Sequence, residues 1–288
     1  MSIGSPEWLR VVTASKVAAI LGLSPWDSPR SMWHRMHGDL PPEPQQEHQS
    51  RGHYLEPAIL AWWQDRYPDA LSGWVTQPSF GLDGWAAATP DAACALDDEP
   101  ALVEAKSAAT ADDWGDPGTD EIPLYYAVQA MFQMHISGIH RTYMPVLFGK
   151  PRLGFAEYVI DYDPAMGATL EARCRTFYDS LAADEPPELD NTTATYDAIR
   201  KIHPEIDAKA EVEIGSDLAT EFVTALREAD TWEATARHAR SRVIEAMGRA
   251  QYAVHQGERI ARRQRNKSGV SFVPLHANTF TFLTGEVA

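Results

Sequence analysis

The chain has 288 residues, which suits one large domain or a domain with an appendage. Its 25 Lys and Arg against 41 Asp and Glu give a formal net charge of −16, which excludes tight non-specific coating of nucleic acid but leaves room for a local basic groove. Two cysteines far apart, Cys94 and Cys174, exclude a disulfide framework and a four-cysteine iron–sulfur cluster; with no signal-like start and no apolar run of membrane length, the expectation is a soluble, cytoplasmic protein with no membrane partner.

In chain order, residues 8–22 read as a short lead-in and a helix. Thr13 or Ser15 caps that helix, Val17, Ala18, Ile20 and Leu21 form its apolar stripe, and Gly22 closes it. A second helix is predicted over 30–37, with Met32, Trp33 and Met36 facing inward. Residues 41–50, rich in Pro, Gln and Glu, read as a loop. A third helix opens at Arg51 and runs to about Tyr67, buried through Leu55, Ile59, Leu60, Trp62 and Trp63. From the residues alone, its Glu56 reads as a carboxylate favoured by the positive end of the helix dipole.

Strand-like stretches follow at 74–80, 84–89 and 101–106. The run 84–89 ends on Thr89-Pro90-Asp91, and 101–106 reads Ala-Leu-Val-Glu-Ala-Lys, so Glu104 and Lys106 share one face of that strand. Residues 96–100 have turn chemistry, which predicts that 84–89 and 101–106 pair as a hairpin and that Asp91 lies beside Glu104 and Lys106. Two carboxylates and an ammonium brought together suit a hard divalent cation and metal-assisted hydrolysis. The competing reading of the same residues is a Lys106–Glu104 pair on an exposed strand.

After Lys106 the chain becomes small, polar and acidic through Asp112, Asp113 and Asp116, reading as a long surface loop. A helix over 123–137 places Gln129 and Gln133 on one face. Strands at 142–148 and 155–161 make a hairpin around Lys150-Pro151-Arg152, and a helix spans 164–183 before Pro186-Pro187. Residues 188–210 are polar and irregular. A long helical pattern then runs from 216 to about 249, with Leu218, Phe222, Leu226, Trp232, Val243 and Met247 among its apolar positions. Strand-like tails at 251–254, 260–265 and 270–273 follow, within a basic zone, 237–267, that reads either as a solvated face or as a phosphate-contacting surface. The order is that of an α/β core, 1–187, with a C-terminal extension, 188–288, made of a linker, a long helix and a basic tail.

Several motifs then fall in one order: Trp8-Leu9-Arg10, Thr13-Ala14-Ser15, Leu21-Gly22, Gly52-x-x-x-Glu56-Pro57, Pro90-Asp91, Glu104-x-Lys106 and Gln129. Across residues 8–183 this resembles the YqaJ-type viral recombinases, relatives of lambda exonuclease within the PD-(D/E)xK nuclease superfamily. The resemblance implies a restriction-endonuclease-like core, a central mixed sheet flanked by helices. It implies that Asp91, Glu104, Glu56 and the carbonyl of Ala105 hold Mg²⁺ or Mn²⁺, that Lys106 orients or helps deprotonate the attacking water, and that Gln129 lies against the site. Arg10 and Ser15 match the family's pocket for a DNA 5′-phosphate.

The implied reaction is metal-dependent resection of linear duplex DNA from the 5′ end in phage-type recombination or repair, in a bacterial or phage-infected cell. Double-stranded DNA ends, a single-strand annealing protein and a homo-oligomer, a trimer by resemblance, are the implied partners. Against the family pattern, Met131 stands where a second glutamine is common, and Gln133 follows it. The acidic loop after Lys106 is unlike a DNA-facing surface, and the part beyond Pro187 has no counterpart in the compact lambda enzyme. The other readings are an endonuclease, a RecB-like exonuclease of defence or repair, and a non-catalytic DNA-end-binding scaffold.

Overall fold

The structure, a computed structural model, describes residues 6–40, 47–150, 153–267 and 269–275. Two compact units divide the chain, Met1–Ile206 and Asp207–Ala288.

The first unit is built on a six-stranded mixed sheet with helices on both faces, as the expected fold class requires. Its strands are β2 (Val75–Thr76), β5 (Ala92–Leu96), β6 (Glu99–Val103), β7 (Lys106–Ala108), β8 (Arg141–Phe148) and β9 (Gly154–Asp161). Strand β8 is the spine: β9 pairs antiparallel along one edge, and β6 then β7 run parallel along the other. A smaller sheet holds β1 (Val12–Thr13), β4 (Ala86–Ala88) and β3 (Phe80–Leu82), in that order. Helices α2 (Ala14–Ile20), α5 (Leu124–Ser137) and α6 (Pro164–Ala183) cover one face around Phe132, Met134, Met144 and Cys174. Helix α4 (Glu47–Arg66) covers the other, where Trp63 packs with Tyr67, Trp74 and Tyr143.

The hairpin at the site differs from the sequence expectation. Strand β6 pairs with β5, not with the stretch 84–89, whose Ala86–Ala88 belongs to the smaller sheet. The cause is the two-residue turn Asp97-Asp98, both at positive φ, a geometry that closes tight hairpins. In this register Ala92 faces Val103, so Asp91 still arrives opposite Glu104. The stretch expected as one strand over 101–106 is also interrupted at Glu104–Ala105. Glu104 N–H donates to the Tyr143 carbonyl at 3.0 Å. The next bond of a parallel ladder would come from residue 145 to the Glu104 carbonyl, and Pro145 has no N–H to give.

Helix α4 begins at Glu47, inside the stretch read as a loop, whose residues 41–46 lie outside the described residues, as do Pro151 and Arg152 of the predicted hairpin turn. It continues through Pro57 because the His53 carbonyl freed by the missing N–H lies on an exposed face. The first unit also extends past 187. Within the segment read as irregular, α7 (Thr193–Ile202) forms, with Thr192 Oγ1 accepting from Thr195 N–H. It packs on α3 (Pro29–His37), and the buried hydroxyls of Ser28 and Thr195 meet at 2.6 Å. The second unit holds α8 (Ser216–Met247) and an antiparallel sheet of β10 (Tyr252–His255), β11 (Glu258–Asn266) and β12 (Gly269–Pro274). No helix among the described residues is long and apolar enough to cross a membrane.

Ser28 also caps α3 in a capping box with Ser31. Losing one cap and one buried hydrogen bond costs about 2 kcal/mol. Ser28→Ala is therefore expected to lower the melting temperature by several degrees, and Thr195→Val, which keeps the α3 cap, by less; an unchanged melting temperature in Thr195→Val would show that the inter-helix bond contributes nothing, and equal falls that the cap contributes nothing.

Candidate active site

The interruption of the sheet at Glu104–Ala105 is where the polar groups collect. Ala105 N–H points past the end of β5, and with no strand partner there it donates to Asp91 Oδ2 at 2.7 Å. Glu104 is buried, yet both of its oxygens are used. Oε1 accepts from Lys106 Nζ at 2.7 Å and from Gln129 Nε2 at 2.6 Å, and Oε2 accepts from Gln133 Nε2 at 2.9 Å. Gln129 Oε1 in turn accepts from Lys106 Nζ at 3.3 Å. The ammonium lies 4.8 Å from the centre of the Tyr126 ring, a cation–π contact. Helix α5 thus reaches the site with Tyr126, Gln129 and Gln133, spaced three and four residues apart on one face.

The expected group Asp91, Ala105, Glu104, Lys106 and Gln129 is brought together. Gln133 belongs with it; its spacing of four from Gln129 was the signal. Glu56 comes from α4 across the cleft, where its charge acts on Asp91. Burial, Glu104 and Glu56 push the Asp91 carboxyl well above the usual carboxylate range, although Lys106 and the Ala105 N–H oppose them. For Lys106, burial pulls the ammonium down, but Glu104, Asp91 and Tyr126 outweigh it and raise the pKa, so the side chain is held as a cation.

Ala105, Lys106 and Ser107 open into a cleft of about 1110 Å³. Its walls carry Glu56 and Arg51 from α4, Trp26 and Arg35 from the α2–α3 segment and α3, and Asp197 and Lys201 from α7. The Trp26 loop is pinned: Ser24 Oγ accepts the Trp26 and Asp27 N–H groups, and Asp27 grips Arg35 through two bonds of 3.0 and 2.8 Å. Of the stretch after Lys106 only Ser107, which lies in β7, lines the cleft, and none of the acidic loop residues Asp112, Asp113 and Asp116 does. That loop is tied to the sheet instead, with Trp114 packed among Tyr126, Phe148 and Tyr158, and Gly118 N–H donating to the Glu157 carbonyl.

Arg10 and Ser15 are exposed and do not line this cleft. Ser15 Oγ bonds to Thr13 Oγ1 rather than capping α2. The neighbouring Lys16 is buried, and its Nζ donates to the Trp8 and Val11 carbonyls, fixing the backbone turn that bears Arg10. Burial, with help from the Arg35 charge, brings the Lys16 pKa down to about 7.

Among the described residues, no three His, Cys, Asp or Glu side chains are gathered into a ready cation cage. The donor chemistry still fits Mg²⁺ or Mn²⁺: such ions are commonly held by one or two carboxylates, with waters and substrate phosphates completing the shell. Asp91 is destabilised as an anion by two neighbouring carboxylates, which a cation would relieve.

Residues 7–140, which contain every residue of this cluster, match the family model for the YqaJ-like viral recombinase domain. Among solved structures, the chain is similar to an alkaline exonuclease from Laribacter hongkongensis, at 19% identity and a TM-score of 0.46, over 62% of this chain and 90% of that one. It is also similar to a phage related exonuclease from Haemophilus somnus 129PT, at 13% identity and a TM-score of 0.45, over 60% of this chain and 96% of that one. No curated protein matches the sequence.

A raised carboxyl in the folded state is tolerated at acid pH and penalised as the pH rises through its folded pKa. Asp91→Asn keeps an acceptor for the Ala105 N–H and removes the charge. In chelator it is expected to melt above the wild type near neutral pH, with the gap closing towards pH 4, the ordinary carboxylate range. A variant that melts below the wild type at neutral pH would contradict this electrostatic account.

Proposed function

We propose that this YqaJ-like chain is a metal-assisted deoxyribonuclease that resects linear double-stranded DNA from a 5′ end in phage-type recombination or repair. The observation that carries the reading is the cluster at the sheet interruption: Asp91, Glu104 and Lys106 on adjoining backbone, with α5 amides on Glu104, and with Ala105, Lys106 and Glu56 lining an open cleft. The family match over 7–140 supports the same reading.

Asp91, Glu104, Glu56 and the Ala105 carbonyl would hold Mg²⁺ or Mn²⁺, which supplies Lewis-acid activation for phosphodiester hydrolysis. The chain's own groups do the rest. Lys106, cationic and anchored by Glu104 and Gln129, presents hydrogen-bond donors where negative charge develops on the phosphate. Held as a cation, it serves as donor and charge stabiliser rather than as the base that deprotonates water. Gln129 bridges Lys106 and Glu104 and fixes their separation, and Gln133 holds the far oxygen of Glu104. Arg35, Arg51 and Lys201 place positive charge along the cleft walls, interspersed with Asp27, Glu56 and Asp197. A 3′ overhang left by this reaction is the substrate that a single-strand annealing protein takes up.

Arg10, on the turn fixed by Lys16, is proposed as the contact for the 5′-phosphate of the DNA end, approached from outside the cleft.

The test uses 5′-phosphorylated linear duplex, covalently closed circular duplex and single strands, with Mg²⁺ or chelator. Wild-type protein is expected to digest the linear duplex only, and only with metal. Lys106→Ala is expected to lose about 10²–10³-fold in rate. Wild-type digestion of circles at the linear rate would replace end resection with endonuclease action, and inertness with every metal would replace catalysis with end binding. Arg10→Ala is expected to cut phosphorylated and unphosphorylated ends at more nearly equal rates; an unchanged preference removes Arg10 from the site.

A further inference from the structure

Helix α8 carries an unbroken repeat of alternating four- and three-residue steps. One set of positions is Leu218, Ala225, Trp232, Ala239 and Ala246; the interleaved set is Phe222, Ala229, Ala236 and Val243. All are apolar. A period of 3.5 keeps one stripe turned towards one partner helix along its whole length, here about 48 Å at 1.5 Å per residue. Among the described residues of its own unit, nothing covers most of that stripe. Leu218 is 57% exposed, Phe222 58% and Trp232 73%, whereas packing on the small sheet reaches only the C-terminal end, through Val243, Ile244 and Met247. A lone helix gains most of its stability from packing an apolar face, and this face is open.

The residues beside the seam select the occupant and its direction. In a parallel pair of α8 helices, Glu228 would meet the partner's Glu233, and Trp232 and Phe222 would each face their own copies across the axis. In an antiparallel pair with Trp232 opposite the partner's Ala229, Phe222 falls opposite the partner's Ala239 and Leu218 opposite the partner's Val243. Large then meets small at the two aromatic layers, with Leu218 on Val243 and Ala225 on Ala236 between and beyond them, and Glu221 falls beside the partner's Arg242, twice by symmetry. The helix is acidic in its first half, through Asp217, Glu221, Glu228 and Asp230, and carries Arg237, Arg240 and Arg242 in its second. A second copy laid antiparallel therefore matches both its volumes and its charges.

We propose that α8 is a homodimerisation helix that pairs antiparallel with α8 of a second copy of this chain. The pairing does not depend on the nuclease reading.

Exposed positions permit a direct test in the full-length chain, because Cys94 and Cys174 are buried. Glu221→Cys and Arg242→Cys proteins are mixed under mild oxidation, and Glu228→Cys and Glu233→Cys proteins are mixed alongside. The expected result is a disulfide-linked dimer of one Glu221→Cys and one Arg242→Cys chain, with none from the second mixture. Cross-linking of the second mixture in place of the first would overturn the antiparallel arrangement, and its absence from both would overturn the pairing. Independently, the double variant Phe222→Glu, Trp232→Glu is expected to halve the mass measured by light scattering; an unchanged mass would also overturn the pairing.

Discussion

The site depends on a gap in a hydrogen-bond ladder. Strand β8 cannot complete its bond to the Glu104 carbonyl because Pro145 has no N–H, and β5, which starts at Ala92 opposite Val103, falls two residues short of Ala105. Between these two failures the Glu104 carbonyl and the Ala105 N–H are left without ladder partners, although the Glu104 N–H still donates to the Tyr143 carbonyl. Buried backbone groups must find partners. The Ala105 N–H finds one in the Asp91 carboxylate, which ties the end of β5 to the interrupted strand and sets Asp91 beside Glu104. The catalytic geometry proposed here is thus a by-product of how the sheet is broken.

The surrounding shell stabilises an arrangement that is electrostatically unfavourable by itself. Glu104 is buried and would be poorly tolerated unpaired. One ammonium and two amides satisfy it, and the amides come from a single helix packed firmly on the sheet through Phe132 and Met134. Asp91 receives less: one N–H and the field of Lys106, against two other carboxylates. This imbalance is what the proposed cation site requires of Asp91, whose remaining partner would be the metal ion.

Much of this was legible in the chain. Asp91, Glu104 and Lys106 stand out as chemistry, Gln129 and Gln133 as one helical face, and the helix over 164–183 has the observed bounds. The hairpin partner was misassigned because 84–89 and 92–96 are both small and alanine-rich; only the turn at Asp97-Asp98 decides between them. Helix α7 has a short stripe, Thr195, Ala198, Ile199 and Ile202 at helical spacing, but it escaped because it is only ten residues long and set in a polar stretch. The cleft walls escaped for a different reason. Trp26, Arg35, Arg51 and Lys201 converge only through tertiary packing, and no spacing along the chain encodes that. The seam of α8 was visible as apolar residues, but its strict 3.5 period carries meaning only once the stripe is known to be uncovered.

The central claim is that the ladder gap, through Asp91, builds a cation site. Mn²⁺ titration followed by electron paramagnetic resonance, on the wild type and on Asp91→Asn, tests it without any DNA. The account predicts saturable Mn²⁺ uptake by the wild type and its loss in the variant. Equal uptake by both proteins would contradict it.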